Sequence, residues 1–157
     1  MEIKETVNIL ANFSKNLKDF MFDGKLTPKL LASEIKVDRS VIYKYLRKEI
    51  LPTVPNLISI TNYFECSADY ILGLSSVNSK IINKNPVKLS ERLKEILHKR
   101  EMSRYKLLNE LRGKNIKIAR QSIDDWYNDK RYPSIDNLIM LAETFDCTVD
   151  YLLGREN

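Results

Sequence analysis

The sequence predicts an all-α chain of two tandem five-helix units joined by a short linker. Three observations carry this expectation. Four glycines and five prolines among 157 residues leave little material for turns, which argues against a turn-rich β-sandwich. Apolar side chains recur at the spacing of helices facing a core. The second half of the chain also repeats the first. The length fits one ordinary domain or two small ones. An apolar fraction of 43% with 30% charge is globular composition and excludes wholesale disorder.

The repeat sets the organisation. Segment 52–73, PTVPNLISITNYFECSADYILG, lies over 133–154, PSIDNLIMLAETFDCTVDYLLG, at a constant offset of 81. Pro52 matches Pro133, Asn56-Leu57 matches Asn137-Leu138, Phe64 matches Phe145, and Cys66 matches Cys147. Asp69-Tyr70 and Leu72-Gly73 fall on Asp150-Tyr151 and Leu153-Gly154. Upstream the offset is 76, where Leu17-Lys18-Asp19 matches Leu93-Lys94-Glu95 and Leu31 matches Leu107. The difference is a five-residue insertion in the second copy, around GKNIK at 113–117. Ordered identities of this kind mark two copies of one unit of roughly 65 residues, near the lower size limit for independent folding. The expected division is 1–73, a linker 74–88, and 89–157.

Each element then has a local reason. The first helix, near 4–22 or 89–100, spaces Leu10, Phe13, Leu17, Phe20 and Met21, or Leu89, Leu93, Ile96 and Leu97, along one face. Ser90 with Glu91 suggests an N-cap followed by a first-turn anion in the second copy. The second helix follows Thr27 or Ser103, both good caps, and Pro28 suits the first helical position. The third covers about 39–47 behind Asp38, or about 120–128. Thr53 and Ser134 cap the fourth helix, which presents Leu57, Ile60 and Phe64, or Leu138, Leu141 and Phe145. Ser67 and Thr148 cap the fifth, and Gly73 and Gly154 stand where a helix stops. Residues 74–88, LSSVNSKIINKNPVK, are polar and contain lysine and proline, as a linker would.

Charge narrows the function classes. The net charge is +5, and its surplus is local. Residues 1–78 hold 10 basic against 9 acidic side chains, 89–157 hold 13 against 12, and the stretch 79–88 adds three lysines alone. A basic surplus permits nucleic-acid binding. No apolar run is long enough to span a membrane. The start, MEIKETVNIL, lacks the basic and apolar regions of a secretory leader. A soluble, cytoplasmic protein is expected.

Enzyme chemistry finds little footing. His98 is the one histidine, and its neighbours Lys99 and Arg100 suit a solvated helix face. Cys66 and Cys147 sit at equivalent points of the copies, which suits a packing role in each better than a disulfide between them. Two cysteines and one histidine make a poor zinc set, and there is no glycine-rich phosphate loop. Asp124 and Asp125 diverge by about 100 degrees on a helix and form no acid/base pair. Trp126 and Tyr127 read as core and rim, and Tyr70 and Tyr151 as packing. No metal, cofactor or small-molecule ligand is expected.

Each unit resembles the helix-turn-helix domain of the lambda-repressor-like (Cro/Xre) regulators. The tail carries the likeness most strongly: a Pro-Ser/Thr cap, Leu-x-x-Ile/Leu, Phe, then Asp-Tyr-Ile/Leu-Leu-Gly. In the first copy LTPKLLASEIKVDRSVIYKYL is similar to the helix–turn–helix core, with Leu31-Ala32 at the packing site, Val37 in the turn, and Ile42 and Tyr45 anchoring the third helix. The family often places glycine after that helix, where this chain has Leu46-Arg47-Lys48 and Tyr127-Asn128-Asp129. Many members also carry glutamine where this chain has Pro28 and Arg104.

The resemblance implies a third helix lying in the major groove of duplex DNA, with the second helix against the backbone. Segment 36–48 sets Lys36, Arg39, Lys44, Arg47 and Lys48 against Asp38 alone. A run of cations is commonly just a solvated face; its coincidence with the groove-facing positions of the motif favours DNA. Arg39, Ser40, Tyr43 and Lys44 are the implied base readers of the first copy, and Arg120 and Gln121 those of the second. Arg39 and Lys44 suit guanine, and Gln121 suits adenine. Thr27, Lys29, Arg47, Lys48, Ser103, Arg104 and Lys106 are phosphate candidates, as are the linker lysines Lys80, Lys84 and Lys88.

Asp124, Asp125 and Asp129 weaken the second copy's electrostatic case. Two readings follow. The first is a sequence-specific duplex-DNA-binding transcriptional regulator, expected to be a repressor, whose two units occupy successive major grooves or whose homodimer does so. The second is a protein-binding adaptor or antitoxin-like regulator in which at least the second unit pairs with itself or with a protein partner.

Overall fold

In the computed structural model, residues 3–79, 83 and 86–156 are described, with side chains from Ile9 onward. The chain divides into two compact units, one spanning Glu2–Ile81 and one that includes Ile82–Asn157. Among the described residues every regular element is a helix. Lys80 and Lys84, two of the linker phosphate candidates, lie outside the described residues.

The first unit holds α1 (Ile3–Asp23), α2 (Pro28–Ile35), α3 (Arg39–Leu46), α4 (Val54–Phe64) and α5 (Ala68–Ile71). Local chemistry sets their starts. Thr27 Oγ1 accepts the Leu30 amide at 3.2 Å, Asp38 Oδ1 the Ser40 amide at 2.8 Å, Thr53 Oγ1 the Asn56 amide at 3.3 Å, and Ser67 Oγ the Tyr70 amide at 3.2 Å. Each satisfies a donor that the first helical turn leaves open. Phe13 and Leu17 from α1, Leu31 from α2, Ile42 and Tyr45 from α3, Leu57 and Ile60 from α4, and Ile71 from α5 form the buried core. Ser14 Oγ donates to the Leu46 carbonyl at 3.0 Å and ties α1 to the end of α3.

The second unit repeats this order as α6 (Leu89–Lys99), α7 (Arg104–Gly113), α8 (Arg120–Tyr127), α9 (Ile135–Thr144) and α10 (Val149–Leu152). Leu93, Leu107, Leu111, Ile123, Trp126, Leu138, Leu141 and Leu152 are buried. Ser103, Ser134 and Thr148 cap α7, α9 and α10 as expected. Ser90 does not cap α6. The helix begins at Leu89, with Lys88 at the cap position and no side-chain cap bond, and Ser90 is buried inside the first turn. Burying Leu89 on the stripe with Leu93, Ile96 and Leu97 requires this earlier start.

The five-residue insertion is shared out. Helix α7 has 10 residues against 8 in α2, and the connection to the next helix runs over 114–119 where the first unit uses 36–38. Helix ends use left-handed residues other than glycine. Lys48 and Asp129, 81 apart, both take φ 59° where the family would offer glycine, a conformation that costs L-residues roughly 1–2 kcal/mol. Gly73 and Gly154 do need to be glycine. Their φ values are +78° and +69°, and a Cβ at Gly154 would run into the Val87 backbone.

A second equivalence crosses residue types. Asn16 Nδ2 donates to the carbonyls of Tyr70 and Ile71 at 3.0 and 3.2 Å. At the matching place, 76 residues on, Arg92 Nε donates to the Tyr151 carbonyl at 3.0 Å, and its guanidinium lies 4.1 Å from the centre of that ring. Both side chains close the end of the Asp-Tyr helix.

Candidate nucleic-acid interface

Helix α3 divides into two faces. Ile42 and Tyr45, three residues apart, are 0% and 1% exposed. The Tyr45 ring meets Phe13 edge-on at 5.4 Å, and its hydroxyl accepts from Asn56 Nδ2 at 3.0 Å. Burial pushes that hydroxyl's pKa up, against the opposing effect of the Asn56 bond. With this side fixed on the core, Arg39, Ser40, Tyr43, Lys44 and Arg47 share the exposed side. Tyr43 keeps 44% of its surface in solvent although it is aromatic.

The approaches to this face are basic or polar. Thr27, Lys29 and Lys48 are exposed. The Thr27 oxygen accepts from the Leu30 amide, which leaves its own O–H able to donate to a phosphate. Arg47 Nε pairs with Glu49 Oε1 at 2.8 Å, with the two side chains 60% and 46% exposed. An ion pair so open to water is worth at most about 1 kcal/mol and yields readily to a phosphate.

Asp38 sets where α3 begins. The Ser40 amide, then the Ser40 hydroxyl, hold its carboxyl below the usual carboxylate range. A carboxyl whose pKa is lower folded than unfolded stabilises the fold above the unfolded value. That contribution disappears as pH falls through the folded value. Asp38→Ala should therefore lower the urea midpoint of the first unit at pH 7, and the gap from the parent should close on acidification below the carboxylate range.

The second unit builds the same face with different partners. Ile123 and Trp126 anchor α8 on the core, Trp126 at 2% exposure, and Arg120 and Gln121 are exposed at its start. Of its acidic residues, Asp124 and Asp125 are half-buried and Asp129 is exposed, and all three are paired with cations. Asp124 accepts from Arg104 Nη1 at 3.0 Å and lies 3.9 Å from Arg120 Nε. Asp125 Oδ1 accepts from Gln121 Nε2 and its Oδ2 from Arg131 Nε, both at 2.8 Å. The Gln121 bond, then Arg131, hold the Asp125 carboxyl below its ordinary pKa. Arg131 also donates to Ser122 Oγ at 2.7 Å. Lys88 Nζ sits 3.0 Å from Asp129 Oδ2, and that bond raises the Lys88 pKa. The adjacent carboxylates thus point to different arginines, as their angular separation requires.

This pairing changes the roles available. Arg104, a phosphate candidate, is tied to Asp124 and lies 4.5 Å from the Tyr127 ring centre. Ser103 and Lys106 remain exposed. Tyr105, at 67% exposure between them, and Arg131 were not singled out from the sequence. Arg131 follows the end of α8, and only the chain's return past Asp125 brings the two together. Tyr127 is half-buried under Lys94 and Arg104, a rim residue, while Cys66 is buried and Cys147 half-buried. His98 is exposed. Among the described residues no group of three or more His, Cys, Asp or Glu is placed to hold a metal ion, and no helix is long and apolar enough to cross a membrane.

Comparison with known families gives the decisive observation. Residues 92–157 match the Cro/C1-type HTH DNA-binding domain, and residues 23–71 match the helix-turn-helix family. The chain carries two Cro/C1-type helix-turn-helix domains in tandem. No curated protein and no solved structure matches it. In the first helix-turn-helix domain the motif is α2 and α3, and in the second it is α7 and α8. Such domains make the chain a DNA-binding protein of the regulator type.

Proposed function

We propose that the chain is a sequence-specific repressor that binds duplex DNA in the cytoplasm and reads the major groove with α3 and α8. The observation that carries this reading is the division of α3. Its apolar side is locked by Ile42 and Tyr45, and Arg39, Ser40, Tyr43 and Lys44 are left exposed together. A short helix so presented fits a groove about 12 Å wide, with the first residues of the helix nearest the base edges. Arg39 and Lys44 read guanine, and Arg120 and Gln121 read the second half-site. Thr27, Lys29, Arg47, Lys48, Ser103, Lys106 and, once released from its aspartate, Arg104 hold phosphates, as do Lys80, Lys84 and Lys88. Domains 1–73 and 89–157 act through the linker 74–88, with no cofactor, and repression comes from occupancy.

A protein-binding role for the second domain drew its support from the acidic residues of α8. Pairing of Asp124 and Asp125 with arginines of the same domain removes much of that electrostatic argument. Titration of random-sequence and selected duplexes over a range of salt tests the proposal. Affinity should fall steeply with salt, by a log–log slope of about 0.9 per phosphate contacted. Replacing Arg39, Lys44 and Arg120 together by alanine should flatten the slope and abolish selectivity. Unchanged DNA affinity in that variant would favour the protein-binding role.

A further inference from the structure

We infer that Asp125 and Arg131 are positioning residues that fix the Gln121 amide for adenine, so that the two domains read unlike half-sites. The inference rests on the groove-reading role proposed above and concerns what the second domain selects.

The chemistry follows from which atoms can donate. Asp125 as a carboxylate only accepts, so the Gln121 atom 2.8 Å from its Oδ1 is the amide nitrogen. The other carboxylate oxygen takes Arg131 Nε at 2.8 Å, and Arg131 is itself held by Ser122 Oγ at 2.7 Å. The Asp125 side chain is 16% exposed, against 51% for Arg131, so the carboxylate is the sheltered hub of the set. One N–H of Gln121 is thereby used, which leaves its carbonyl oxygen and its second N–H on the exposed side. That pair complements adenine, whose N6 donates and whose N7 accepts. Guanine presents two acceptors at the same edge and would set O6 against the Gln121 oxygen. An amide free to turn over would lose part of this discrimination. The bond to Asp125 prevents the turn, and the Arg131 charge offsets the repulsion between Asp125 and nearby phosphates.

The first domain cannot build this device. Its residues at the matching positions, 81 earlier, are Ser40, Val41, Lys44 and Ile50. Lys44 stands where Asp125 does. It is a donor suited to guanine N7 and O6, the opposite preference. A tandem of such domains selects a composite operator and not a direct repeat.

The test is selection from a randomised duplex library with the full chain, followed by affinity measurements in which the selected adenine is changed to guanine or to 7-deazaadenine, which lacks the N7 acceptor. The parent should yield two unlike half-sites, and either change should weaken binding by about 5- to 100-fold. In Asp125→Ala that ratio should fall to a fraction of the parent value, since Gln121 remains but its amide is free to turn over. Affinity for unselected duplex should hold or rise, because a negative charge is gone. Loss of folding alone would lower both affinities together. Arg131→Ala provides a second route, and it should lower the same ratio while leaving preference in the other half-site intact. Two identical half-sites, or an adenine preference unmoved in both variants, would overturn the inference while leaving DNA reading in place. A parent chain with no sequence preference would overturn the groove-reading role itself, and this inference with it.

Discussion

Arg39→Ala is expected to weaken binding of the full chain to its preferred duplex by about 1–3 kcal/mol and to relax selectivity at a single base pair. Arg39 is the first residue of α3, and its side chain is exposed, whereas Ile42 and Tyr45 are buried. A guanidinium there can donate twice to guanine O6 and N7, an arrangement that no alanine or lysine reproduces in geometry. Binding to a library with that pair randomised separates this role from general charge. Lys29→Ala serves as the contrast, since removing a phosphate-binding cation from α2 should reduce affinity evenly across sequences and lower the salt slope by about one. An even loss from Arg39→Ala would reassign it to the backbone.

The second large effect lies behind the interface. Tyr45→Ala removes a ring that is 1% exposed, its edge-on packing with Phe13 and its bond to Asn56. Removing a large buried aromatic ring costs about 3–5 kcal/mol. A domain of this size seldom holds more than that in total. Urea denaturation of the variant should therefore show the first domain largely unfolded, with DNA selectivity for its half-site abolished. Tyr45→Phe keeps the ring and should cost only the hydroxyl's bond, about 0.5–1.5 kcal/mol. Equal losses from the two substitutions would mean that the hydroxyl, not the ring, holds α3 in place.

How much of this could be read from the sequence depends on the range of the interaction. The repeat, the helix order and the caps at Thr27, Asp38, Thr53, Ser67, Ser103, Ser134 and Thr148 are encoded within a few residues and were legible. Ser90 misled because its local pattern fits a cap, whereas burial of Leu89 alongside it decides where α6 begins. The shared task of Asn16 and Arg92 was hidden by a change of residue type, although the offset of 76 already aligned them. The exposed basic side of α3 was visible as a run of cations beside apolar anchors. The ion pairs of α8 were not legible, since Arg104 lies 20 residues before Asp124 and Arg131 six after Asp125. Pairings across a turn or between helices carry no periodic signature.

Methylation interference with dimethyl sulfate tests the central claim most directly, because the reagent marks guanine N7 on the major-groove edge and adenine N3 on the minor-groove edge. On a bound duplex, methyl groups at guanine N7 within the half-site served by Arg39 and Lys44 should block the complex, and those at adenine N3 should be tolerated. Binding indifferent to every N7 methyl group, or blocked only from the adenine N3 side, would mean that α3 does not enter the major groove.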